Sequence, residues 1–327
     1  MDDSAAPVSR CVLLGEQSLL VECGERLLAE GHTIAAVVTE APRLRDWARH
    51  RGLRVETTPE ALLDSPPAGI DWLFAITWLK PLAPAVLALA RRGAINFHDG
   101  PLPRYAGLNT PIWALLNGET RHGIRWHRMT AEIDAGNVLL ARDFAIDADE
   151  TAFSLNAKCF EAGLAGFEDL LPMLRRGTVE GAPQPKGDRR VYLGADRPLD
   201  VALLDPTRHA AELAATVRAL DNGRYFQALL KPRLRLAERD LVVHAAEAVD
   251  AAAGENDTAA GTLLGVDANG LRLRCADGVL VLRALSTPSG EAIGAADALA
   301  EAGGAGARLS SVEPASESER MTLRRAA

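Results

Sequence analysis

The sequence predicts an α/β chain: a mostly parallel, doubly wound sheet followed by a smaller β-rich domain. Three observations carry this. Apolar runs of strand length alternate with helical spacing through the first half. A stretch rich in Gly, Pro and charge follows residue 174, and beyond it come several short strands separated by turn signals. At 327 residues the chain is long for one domain and comfortable for two.

CVLL at 11–14 is a short apolar strand. GEQSLLVECGERLLAEG then sets Leu19, Leu20, Cys23, Leu27 and Leu28 at helical spacing, and TIAAVV at 33–38 is a second buried strand. The chain therefore opens as a βαβ unit. Trp47 to Arg51 lies on a further helix, IDWLFAI at 70–76 is a third strand, PLAPAVLALARRG reads as a helix with proline in its first turn, and AINF at 94–97 is another strand. Residues 123–129 and 138–144 read as strands around a turn at 130–136, and 151–174 as a long helix packed back on the first domain. RRGTVEGAPQPKGDRR is the expected linker. Beyond it DPTRHAAELAATVRALDNG forms a helix with a glycine stop, and short strands at 241–244, 261–266, 271–275 and 279–285, with DANG and ADG turns, suggest a small barrel. From about Gly294 the Ala-, Gly-, Glu- and Ser-rich sequence loses periodicity and reads as a flexible tail. The expected layout is 1–180, a linker at 181–200, 201–294, and a tail at 295–327.

Hydrophobic residues make up 48% of the chain and charged ones 24%, ordinary for a globular protein with a full core. A formal charge of −8 argues against a dominant polyanion-binding surface but does not exclude a local basic patch; acids outnumber bases between Asp196 and Glu301, and no nucleic-acid partner is expected. No stretch approaches the roughly 20 apolar residues of a membrane span, and MDDSAAPVSR is unlike a signal peptide, so a cytoplasmic location is expected. Cys11, Cys23, Cys159 and Cys275 form no CxxC pair and read as reduced, buried small hydrophobes.

The chemistry concentrates between residues 95 and 137, in INFHDGPLPRYAGLNTPIWALLNGET, HGIRWHRMT and IDAGN. Asn96 and His98 stand two residues apart at the carboxyl end of a buried strand, so both point to one side, where open α/β sheets present ligand sites. Asn96 can donate to a developing oxyanion, His98 can move a proton near neutral pH, and Asp134 can set the imidazole's tautomer. Such a trio suits acyl transfer in which the substrate's own amine is the nucleophile. His122 and His127, five apart on one strand, face opposite sides and do not converge with His98 on a metal, so no metal is expected and each reads as a structural or surface polar residue. The first turn, Gly15-Glu16-Gln17-Ser18, lacks the GxGxxG fingerprint of nicotinamide enzymes.

The Asn-x-His pair, the Leu-Pro loop after it and the Asp-x-Gly turn resemble the 10-formyltetrahydrofolate-dependent formyltransferases. NFHDGPLPRYAGLNTPIWALLNGE and HGIRWHRMT look closest to formylation domains of nonribosomal peptide synthetases. The resemblance runs from Cys11 to about Ile293. It implies a Rossmann-like formyltransferase domain with an OB-like C-terminal barrel, 10-formyltetrahydrofolate as cosubstrate, and Asn96, His98 and Asp134 as catalytic residues. It further implies a folate pocket lined by Trp78, Leu79, Leu102, Pro103, Ala131, Ile133 and Gly136. Asn137 stands where many relatives carry a second aspartate. The acceptor it implies is an amine, possibly an aminoacyl group tethered to a carrier protein. An amino-sugar nucleotide is the second enzyme reading, hydrolysis of the cosubstrate a third, and a non-catalytic docking module of a synthetase the reading from another class.

Overall fold

The computed structural model describes residues 8–176, 179–198, 202–223, 229–236 and 239–309. The chain divides into two compact units, the first comprising residues to 111, 120–146 and 156–192, the second 112–119, 147–155 and 193 onward.

The first unit is the α/β body. Strands β1 (Arg10–Leu14), β2 (Thr33–Val38) and β3 (Val55–Glu56) run to one side, while β4 (Trp72–Ile76) and β5 (Gly93–His98) run to the other. Two further strands, β7 (Arg121–Arg128) and β8 (Val138–Ala145), add antiparallel to β5, giving the order β3-β2-β1-β4-β5-β7-β8. The first five strands are parallel. The order reverses between β1 and β4, the kind of point where doubly wound sheets bind ligands at their carboxyl ends. Gly15 follows β1 there, and a Cβ on it would lie 1.9 Å from the Ile76 carbonyl oxygen, so the close approach of β4 requires glycine.

Helices α1 (Ser18–Ala29) and α6 (Ala152–Arg176) supply apolar side chains to one face of the sheet, where Phe74, Phe97, Trp126 and Phe167 interlock with ring centroids 5.2 to 5.5 Å apart. Gly163 brings α6 down onto the Phe97 ring, and its carbonyl accepts the Trp126 indole N–H at 3.0 Å. Because side chains alternate along a strand, Phe97 and Trp126 face this core while their neighbours face the other side. α2 (Pro42–His50) begins five residues before the stretch read as helical, with Pro42 in its first turn.

Two expectations are corrected in this unit. The helix read over PLAPAVLALARRG is only α4 (Pro84–Leu87), because the Arg91 and Arg92 amides turn away to bond the carbonyls of Ile70 and Asp71. The linker expected at 181–200 belongs, as far as Tyr192, to the first unit: Ala182 exchanges both backbone bonds with Val138, and β9 (Val191–Tyr192) pairs in parallel with β6 (Ala106–Gly107). Gly and Pro signal irregular backbone, not an absence of partners.

In the second unit, β10 (Arg233–Leu236), β11 (Arg239–Val249), β12 (Leu263–Asp267), β13 (Gly270–Arg274) and β14 (Val279–Ser286) form an antiparallel half-barrel in the order β10-β11-β14-β13-β12, with the short β15 (Ala292–Ile293) on β14. Leu213 and Val217 of α7 (Ala210–Ala219) pack into its core with Leu241, Leu273 and Leu282. The tail expected from 295 is corrected in part. α8 (Ala295–Glu301) is ordered, Ala298 is fully buried, and Leu309 packs against the same core. Small residues that look like low complexity here allow close packing. The rest of that tail, 310–327, lies outside the described residues. No helix among the described residues is long and apolar enough to cross a membrane.

Candidate active site

β5 and β7 build the floor of the site by register. Asn96 pairs with His127 and Phe97 with Trp126. One face of this ribbon carries the aromatic core and the other carries Asn96, His98 and His127, all three buried. The turn between β7 and β8 then brings Asp134 over the same face.

The structure joins the three predicted residues and adds a fourth. One Asp134 carboxylate oxygen, Oδ2, lies 3.5 Å from His98 Nδ1 and accepts the Gly107 backbone N–H at 2.8 Å. The other, Oδ1, lies 3.3 Å from His127 Nε2. Asn96 Nδ2 stands 3.1 Å from that same His127 nitrogen. The carboxylate is therefore held between two imidazoles, whose ring centroids are 6.2 Å apart.

Proton positions follow from the partners. His98 Nε2 lies 2.6 Å from the Tyr105 carbonyl oxygen, which can only accept, so Nε2 carries the proton and Nδ1 is the nitrogen that gains or loses one beside Asp134. His127 Nδ1 likewise donates to the Arg128 carbonyl at 2.8 Å, leaving Nε2 to accept from Asn96 when neutral or to donate to Asp134 when charged. Burial raises the Asp134 carboxyl, but the charge of His98, the hydrogen bond and charge of His127 and the Gly107 amide outweigh it and hold the group well below the usual carboxylate range. It is an anion throughout the physiological range.

The loop after β5 closes on His98. Residues 102 and 103 are joined by a cis peptide bond, Leu102 is buried, and Gly100 is so crowded that a Cβ would meet the Tyr105 carbonyl, Thr110 Oγ1 and His98 Nε2 within 3 Å. Leu79 and Ile133 expose 63% and 42% of their surfaces, apolar area of the kind that covers a flat ligand. Ala131 is also exposed, Pro103 half-buried and Gly136 buried against the Arg128 carbonyl. Trp78 is placed differently: its ring sits in the core with Leu14, Leu73 and Val86, and its buried indole N–H has no hydrogen-bond partner among the described residues.

His127 corrects the sequence reading. It is not a surface residue: it is buried and touches both Asn96 and Asp134. The antiparallel pairing of β5 with β7 sets it opposite Asn96, and the signal that could have found it was its position on the polar face of a strand beginning near HGIRW. His122 does lie on the opposite side, buried, with Nε2 bonded to the Asp99 carbonyl at 2.8 Å. Among the described residues no group of three or more His, Cys, Asp or Glu is placed to hold a metal ion.

A doubly wound sheet presenting an amide, two imidazoles and a buried carboxylate at its carboxyl edge defines an α/β enzyme of the acyl-transfer class. Residues 21–171 match the model of the formyl transferase family and residues 200–303 that of the formyl transferase C-terminal domain. Methionyl-tRNA formyltransferase of Stenotrophomonas maltophilia is 32% identical over 247 residues, 76% of each chain. Its counterpart in Xanthomonas euvesicatoria is 31% identical over 84% of this chain and 92% of its own. Among solved structures, an N-formyltransferase from Helicobacter canadensis, in complex with folinic acid and dTDP-3-aminofucose, superposes with a TM-score of 0.65 at 16% identity, covering 85% of this chain and all of its own. The chain belongs to the formyl transferase family.

Proposed function

We propose that this formyltransferase takes its formyl group from 10-formyltetrahydrofolate and delivers it to the primary amine of an aminoacyl group on a nonribosomal peptide synthetase carrier protein, or of a related natural product. The observation that carries the catalytic part is the Asp134 carboxylate held between His98 and His127 beside Asn96. The folate supplies an activated formyl carbon. Leu79, Ala131, Ile133, Leu102, Pro103 and Gly136 would line its place.

Asn96 has two amide protons. One serves His127 Nε2, and the second is available for the formyl oxygen as the amine adds and negative charge develops there. His98 Nδ1 accepts the proton released by the attacking amine, and Asp134 steadies the imidazolium so formed. The same nitrogen can return that proton to the leaving amine. One new C–N bond replaces another, and no enzyme nucleophile is needed.

Support for a carrier-borne amine lies in the resemblance of residues 96–119 and of HGIRWHRMT to formylation domains of nonribosomal peptide synthetases. An amino-sugar nucleotide is the second reading, favoured by the likeness to the Helicobacter enzyme. The test mixes the protein with 10-formyltetrahydrofolate and a panel of aminoacyl carrier proteins, amino-sugar nucleotides and methionyl-tRNA, following tetrahydrofolate release and formyl mass gain. A gain on the carrier that Asn96, His98 and Asp134 variants lose supports the proposal; a gain confined to a sugar or tRNA acceptor overturns it.

A further inference from the structure

Asp134 sits in an unfavourable place. Its φ of 48° is in the left-handed region, and its side chain must meet two imidazoles at once. The turn's local bonds, from the Arg128 amide to the Asn137 carbonyl and from the Thr130 hydroxyl to the Glu132 carbonyl, do not reach the carbonyls of residues 133, 134 and 136. The partners that do so come from about 50 residues away. Gln184 uses both protons of its amide, donating to the Asp134 carbonyl at 2.7 Å and to the Gly136 carbonyl at 2.8 Å. Arg189 donates to the carbonyls of Ile133 and Asp134 and lies 3.4 Å from the Glu132 carboxylate.

The segment bearing these two residues is anchored at both ends. At its start, Ala182 pairs with Val138, and the Gly181 carbonyl accepts the Asn137 side-chain amide. At its end, the Arg190 carbonyl accepts the Ala106 amide and the Tyr192 carbonyl accepts that of Leu108. The Tyr192 ring stacks on Tyr105, centroids 5.6 Å apart, and Tyr105 is the residue whose carbonyl sets the His98 tautomer. Gly107, whose N–H holds Asp134 Oδ2, has φ 89° and would place a Cβ 2.1 Å from the Tyr192 oxygen, so the segment lies directly on it. Residues 181–192 thus lie on Gly107, the backbone donor to the Asp134 carboxylate, and grip the carbonyls of the turn that carries it.

We propose that Gln184 and Arg189 are positioning residues for formyl transfer: by gripping the carbonyls of residues 133, 134 and 136 they hold the Asp134 carboxylate where it meets both His98 and His127. The proposal rests on the catalytic reading of Asp134 given above.

The test uses full-length Gln184→Ala, Gln184→Glu and Arg189→Lys proteins. Gln184→Ala removes two supporting hydrogen bonds and is expected to lower kcat about 10- to 100-fold, with the KM of the amine unchanged and a loss of activity larger than any shift of the unfolding midpoint accounts for. Gln184→Glu sets a carboxylate against two carbonyl oxygens, so it should be slower than the Ala variant at about pH 8 and gain on it towards about pH 5, where a protonated Glu can donate. A role confined to overall stability would not reverse that ratio. Backbone hydrogen exchange across 131–137 should quicken in Gln184→Ala. Wild-type kcat, or activity falling in step with the unfolding midpoint, overturns the proposal. If the wild-type protein transfers no formyl group, the functional reading fails, and unchanged or quickened exchange at 131–137 alone then decides against or for the grip.

Discussion

Replacing Asp134 by Asn removes one charge and almost nothing else. Asn tolerates left-handed φ as well as Asp does, so the turn keeps its 48° conformation, and the amide oxygen can still accept the Gly107 N–H. What disappears is the anion 3.5 Å from His98 Nδ1 and 3.3 Å from His127 Nε2. Unit charges about 3.5 Å apart at an effective dielectric of about 20 attract by roughly 4 to 5 kcal/mol. An amide oxygen turned to the imidazolium recovers part of that, leaving a loss of about 3 to 4 kcal/mol as His98 takes up its proton. The rate should fall by about 10² to 10³. Steady-state formyl transfer by Asp134→Asn and wild type, with folded state checked by circular dichroism, measures this. A kcat within about 10-fold of wild type would refute the argument that the carboxylate stabilises charge at His98.

His127→Ala deletes the acceptor of Asn96 Nδ2 and one partner of Asp134; kcat should drop by about 10 to 100-fold, read in the same assay, with binding of the amine little changed. Gly136→Ala would put a Cβ 1.9 Å from the Arg128 carbonyl oxygen and should destabilise by about 1 to 3 kcal/mol in a denaturant titration. Asp134 is held below its unfolded value, so its contribution to stability is complete above about pH 4 and is lost as pH falls further; the stability difference between wild type and Asp134→Asn should shrink across that range in acid titrations. Burial pushes the Cys11 thiol up to about 12 and the Cys275 thiol up to about 11, and all four thiols are buried. An aromatic disulfide reagent at about pH 8 should therefore label them only after unfolding.

Much of the fold was legible because its signals are local. The apolar runs at β1, β2, β4 and β5 are strands, and the heptad-like spacing of Leu19, Leu20, Cys23 and Leu27 is the buried stripe of α1. Asn96 and His98 were legible for the same reason, since two residues on one strand share a face whatever surrounds them. The short α4 was misread because a backbone amide at Arg91 or Arg92 bonds a carbonyl 21 residues earlier in the chain, a competition invisible in helical spacing.

By itself, then, the sequence determined the strands and helices, the polar face of β5 and the family resemblance, all of which depend on side-chain alternation or on short motifs. Only the tertiary structure decided that His127 stands opposite Asn96, because that follows from the register of an antiparallel pair formed by residues 31 apart. It alone decided that Gln184, Arg189 and Gly107 surround Asp134, since their contacts are backbone carbonyls and amides, which every sequence offers and none distinguishes. A left-handed aspartate has a fixed direction only when such distant donors agree on one.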